Sequence, residues 1–98
     1  MEENLTKVES TARRFLSTGK VNGIDAAELA NACSQIIRQQ SEVSLSRALS
    51  SARRFARLSK GQDASIQYTA LRALARVNHL ISSYSEAKKV YLQARLLA

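Results

Sequence analysis

The segment ASIQYTALRALARVNHLISSYSEAKKVYLQARLL, residues 64–97, decides how the chain is read. It contains no Pro and is richest in Ala and Leu, residues of low helical cost. Its apolar positions recur at helical spacings: Leu71, Leu74, Ala75 in its first half and Ala87, Tyr91, Ala94 in its second. Between the halves lies Ser83-x-x-Glu86, a capping box, which predicts one helix over 64–82 and another over 84–97. So short a break folds the two back on each other as an antiparallel hairpin.

The same pattern extends backwards by 42 residues. Leu29, Ala32, Cys33, Ile36, Leu45, Leu49 and Ala52 stand opposite Leu71, Leu74, Ala75, Asn78, Ala87, Tyr91 and Ala94, and six of the seven pairs set apolar against apolar. Ala12-Arg13-Arg14-Phe15 recurs unchanged at 52–55. Self-similarity at such a period marks stacked helical hairpins, each burying its apolar face on the next. Further breaks fall at Gly19 and Gly23, followed by the Asp25-x-x-Glu28 box; at Gln40-Ser41-Glu42; and at Gly61, with Asp63 as cap. These predict five helices, at 3–18, 25–39, 42–59, 64–82 and 84–97. No stretch alternates with period two, so strands are not expected.

The last hairpin resembles a tetratricopeptide repeat. Leu71-x-x-Leu74-Ala75 is similar to the family's large-x-x-Leu-small pattern, and Tyr84-x-x-Ala87-x-x-x-Tyr91-x-x-Ala94 to its second helix. Ala75 and Ala87 are small where the helices should cross, Leu74 and Tyr91 fill the space between hairpins, and Tyr84 sits at the turn. Asn78 replaces the usual Tyr, Ser82 stands where a turn Gly is common, and the closing Pro is missing. The period of 42 rather than 34 resembles a long-helix variant of the family. The resemblance implies one all-α domain over 1–98, a short right-handed solenoid of antiparallel hairpins: a leading helix (3–18), a divergent hairpin (25–59) and a tetratricopeptide-like hairpin (64–97).

Family likeness also implies that the first helix of each hairpin lines a concave face that holds peptides. That face would present Thr69, Arg72, Arg76 and His79 from one hairpin and Ala27, Ala30, Ser34, Ile37 and Arg38 from the other. Apart from any family, Arg72, Arg76 and His79 at i, i+4 and i+7 share one helical face, and two guanidiniums a turn apart suit a carboxylate or phosphate. The expected partner is an acidic peptide or protein segment. The plainer alternatives are that the arginines form a solvated face and that His79 lies beside Leu80 without a role.

Net charge is +7, and the distribution matters more than the sum. Residues 1–40 hold five basic and five acidic groups, whereas residues 41–98 hold ten basic groups against Glu42, Asp63 and Glu86. Such a half attracts an acidic protein, a nucleic acid or an anionic membrane surface. Arg53, Arg54, Arg57 and Lys60 form an alternative phosphate-binding set on an outer helix, supporting a nucleic-acid-binding module as the second function class. No aromatic platform accompanies that set, and Phe15, Phe55 and Tyr91 fit core positions instead.

The composition is 45% hydrophobic but only 5% aromatic, so 98 residues build a thin core with closely approaching helices. Cys33 has no second cysteine to pair with, which favours a reducing compartment, taken as cytoplasmic. The start Met1-Glu2-Glu3-Asn4 does not fit a secretory signal, and no apolar run approaches the roughly 20 residues of a membrane span. Scattered acids, one histidine and no Gly-rich phosphate loop give no catalytic constellation, cofactor site or metal site, so no enzymatic activity is expected. The apolar ending Leu96-Leu97-Ala98 raises a third possibility: self-association, or a piece of a longer solenoid.

Overall fold

The structure, a computed structural model, describes residues 2–20 and 25–97, with side chains from Val8 onward. Gly23, expected to bracket the first break, lies outside the described residues. Five helices follow one another: α1 (Glu2–Thr18), α2 (Ala26–Val43), α3 (Leu45–Leu58), α4 (Ala64–Leu80) and α5 (Tyr84–Leu97). Among the described residues there is no strand.

The starts of α2, α3 and α4 each have a local chemical cause. Asp25 accepts a hydrogen bond from the Glu28 N–H and opens α2. Asp63 opens α4 by accepting from both the backbone N–H and the hydroxyl of Ser65, at 2.9 and 2.7 Å. Those two bonds hold the Asp63 carboxyl below its usual pKa. Gly61 takes a left-handed φ of +84° in the turn before it.

One expected break moves. Residues 40–42 are helical, and α2 runs on to Val43. The Ser41 hydroxyl, at the expected break, donates back to the Arg38 carbonyl at 2.7 Å, a bond made within a helix. Ser44 makes the turn: its backbone is extended, its N–H donates to the Gln40 carbonyl and its Oγ accepts from the Arg47 N–H. A single residue thus ends α2 and caps α3.

The other late difference is at the end of α4, which stops at Leu80 rather than running to 82. Ser82 adopts φ +66°, its N–H donates to the His79 carbonyl, and the Ser83 N–H reaches the Asn78 carbonyl at 2.8 Å. This pair of bonds is the Schellman closure of a helix.

Helix α4 is the centre of the packing, lying against α2, α3 and α5, while α1 packs on α2 and α3. The core joins Phe15 and Leu16 of α1, Leu29, Cys33, Ile36 and Ile37 of α2, Phe55 of α3 and Ile66 and Val77 of α4. Small residues fill the close approaches: Ala12, Ala48, Ala52, Ala70 and Ala75 have no exposed surface. Both copies of the Ala-Arg-Arg-Phe segment behave alike at their ends, with Phe15 and Phe55 fully buried and in edge-to-face contact, ring centroids 6.4 Å apart. Among the described helices α5 packs on α4 alone, and it leaves Leu92 and Leu96 exposed.

Candidate functional site

Beside the buried Ile66, Ala70 and Val77 of α4 runs a stripe of Tyr68, Thr69, Arg72, Ala73 and Arg76, in which the two arginines are exposed and Ala73 packs partly on the core. Packing α4 beside α2 brings this stripe next to Asn31, Ser34 and Arg38, which recur at i, i+3 and i+7 on α2. Buried Ile37 lies between them, and Tyr91 reaches in from α5. These ten residues line an open cleft of about 270 Å³.

Every ionisable group of fixed charge on this lining is a guanidinium: Arg38, Arg72 and Arg76. All three are exposed. Among the described residues, ion pairs join Arg13 to Glu9 and Lys89 to Glu86, and none reaches the three cleft arginines. The Arg72 guanidinium instead lies over the Tyr68 ring, 5.7 Å from its centroid, held by cation–π attraction one turn along the helix. Hydroxyls of Ser34 and Thr69 and the Asn31 amide add hydrogen-bonding groups to the same wall. Chemically the cleft is a donor-rich, cationic recess with an aromatic side.

No family model matches this chain, and neither a curated protein nor a solved structure gives a match. The site therefore rests on its own geometry.

Of the residues expected on the concave face, Ser34, Ile37, Arg38, Thr69, Arg72 and Arg76 come together in the cleft. His79 does not line it. Its ring sits at the last turn of α4 against Tyr84, centroids 5.2 Å apart. Ala30 is buried in the core, and Ala27 is exposed away from the lining. Asn31, Tyr68, Ala73 and Tyr91 were not anticipated there. Extending each helical stripe by one turn would have found two of them, since Asn31 precedes Ser34 by three and Tyr68 precedes Arg72 by four. Tyr91, expected in the core, is 40% exposed and borders the cleft.

The alternative phosphate set is divided. Arg53, Arg57 and Lys60 are exposed. Arg54 turns the other way, its Nε donating to the Leu16 carbonyl and its terminal nitrogen to the Ser17 carbonyl. It serves the end of α1 and is partly covered.

Cys33 lies in the core with its Sγ 4.0 Å from the Ala12 carbonyl. Burial pushes its pKa up to about 12, so at neutral pH it is a protonated packing thiol. Among the described residues no group of three or more His, Cys, Asp or Glu side chains could hold a metal ion. None of their helices is long and apolar enough to cross a membrane.

Proposed function

We propose that the chain is a non-enzymatic, tetratricopeptide-like interaction module whose cleft between α2, α4 and α5 binds an acidic peptide or protein segment. The observation that carries this reading is the cleft lining, to which two helices contribute Arg38, Arg72 and Arg76, none of them ion-paired to an acid among the described residues. Three exposed guanidiniums facing one recess repel one another until an anion enters.

The helix pairing supports the repeat-like part of the proposal. α4 packs on both helices of the preceding pair, α2 and α3, as well as on its own partner α5, and α1 stands to α2 and α3 as an outer helix to the next hairpin. Buried Ala75, Ala87 and Ala52 at the close approaches fit the small positions of that family. In this arrangement α2 and α4 are the inner helices of two consecutive hairpins, and the cleft is the start of a concave face. The family resemblance implies that such a stack is right-handed.

Titration of a fluorescein-labelled Glu-rich peptide tests the binding role. The double variant Arg72→Ala/Arg76→Ala should lose about 2 kcal/mol or more, since a charge-assisted hydrogen bond contributes about 1.5–3 kcal/mol. Unchanged affinity removes the cleft from consideration. Binding that collapses with salt and ignores Arg72, yet weakens on changing Arg53 and Arg57, assigns the protein to polyanion binding on its outer face instead.

A further inference from the structure

The cleft's chemistry goes further than a preference for acidity. Resting on the reading of it as a peptide site, we infer that the group it is built to take is a phosphate monoester dianion carried on a peptide side chain. The reasons are the number of guanidiniums, the kind of donors around them and the size of the recess.

A carboxylate has two coplanar oxygens and a single negative charge, and one bidentate arginine engages both oxygens and balances that charge. Here three arginines line one recess, on two different helices, and not one of them is committed to an acid within the described residues. A phosphate monoester carries close to two negative charges at neutral pH and three strong acceptor oxygens, a match for three separate guanidiniums. The neutral groups beside them, the Ser34 and Thr69 hydroxyls and the Asn31 amide, can each donate as well. Among the described residues no carboxylate shares the lining to repel a dianion.

Size points the same way. At about 270 Å³ the open recess has room for one phosphate group together with part of the side chain that carries it. The apolar wall made by Tyr68, Tyr91, Ile37 and Ala73 would then receive the carbon part of the modified side chain. Because Arg38 stands on α2 and Arg72 and Arg76 stand on α4, one bound dianion would tie the two hairpins together.

Anisotropy titrations at moderate salt with three matched peptides test this: one with phosphoserine, one with phosphotyrosine, and one with Glu-Glu at the same place to equal the charge. At least one phosphopeptide should bind about tenfold more tightly than the Glu-Glu peptide. Arg38→Ala should reduce that advantage to within about twofold, while Arg53→Ala/Arg57→Ala leaves it intact. Inorganic phosphate should compete weakly, because it lacks the contacts of the apolar wall. Equal binding of phosphorylated and Glu-Glu peptides, with Arg72 still required, overturns the phosphate inference and leaves the acidic-peptide reading standing. Absence of binding by all three overturns both. Displacement by a single-stranded oligonucleotide that depends on Arg53 and Arg57 rather than Arg38 also overturns it. Arg38 is exposed, so circular dichroism of the variant should match the parent and separate lost binding from lost folding.

Discussion

Ser82 holds the left-handed conformation that glycine adopts without steric cost, and it does so to close α4 through the Ser83 to Asn78 hydrogen bond. A side chain there crowds the following carbonyl, at a cost of about 1–2 kcal/mol, part of which glycine returns through the greater freedom of the unfolded chain. Ser82→Gly should therefore stabilise the protein by about 0.5–1 kcal/mol, raising its melting temperature by roughly 2–8 °C in a circular dichroism melt. A lower melting temperature would mean that the serine makes compensating contacts. Gly19, at φ +77°, is the opposite case: besides the conformation, a Cβ there would stand 3.0 Å from the Leu58 Cδ2, so no side chain is tolerated cheaply. Ser82 was visible in the sequence as a departure from glycine. That the backbone nonetheless takes the glycine conformation was not, because a φ angle depends on whether the surrounding hydrogen bonds outweigh the local strain.

At the scale of the helix, α1 shows how one element is completed by another. Its last carbonyls need partners, and it has no basic residue in its own last turn. The Gly19 N–H takes the Phe15 carbonyl, and Arg54, from α3, takes those of Leu16 and Ser17. A guanidinium at a helix C-terminus also opposes the negative end of the helix dipole. Arg54→Ala should cost about 1.5–3 kcal/mol, and hydrogen exchange should quicken more in α1 than in α4. Arg54→Lys should recover only part of the loss, because an ammonium does not span two carbonyls as a planar fork does. Composition marked Arg54 as one of a basic row with Arg53, Arg57 and Lys60. Sequence spacing cannot tell a solvated arginine from one that reaches another helix, since the answer depends on where α1 docks.

The whole molecule is joined through few large side chains. Phe15 and Phe55 are the only two phenylalanines, and their fully buried contact links α1 to α3 and through the shared core to α2 and α4. Truncation of a buried phenylalanine costs about 3–5 kcal/mol, against a total stability of about 5–15 kcal/mol for a domain of this size. Phe15→Ala should lower the urea midpoint by roughly 1 M or more. A shift of a few tenths of a molar would show that α1 adds little to the fold.

Much of this architecture was readable before any coordinates. Ala-rich composition, capping at Asp25 and Asp63, and the 42-residue register depend on contacts within a few residues or on a periodicity that the chain carries along its length. These made the five helices, the buried Ala-x-x-Phe ends and most of the cleft stripe legible. Placement of the second break at Ser44 rather than at 40–42 was not, because Ser41 and Ser44 are equally able to cap, and the competition is decided by which hydroxyl has its own helical carbonyl within reach. Tertiary packing alone brought Arg38 of α2 beside Arg72 and Arg76 of α4, drew Tyr91 to the rim, sent His79 to Tyr84 and turned Arg54 inward. Local hydrogen bonding determines where helices start and stop. Which charges meet across them depends on how the apolar faces dock, and that is a property of the whole core.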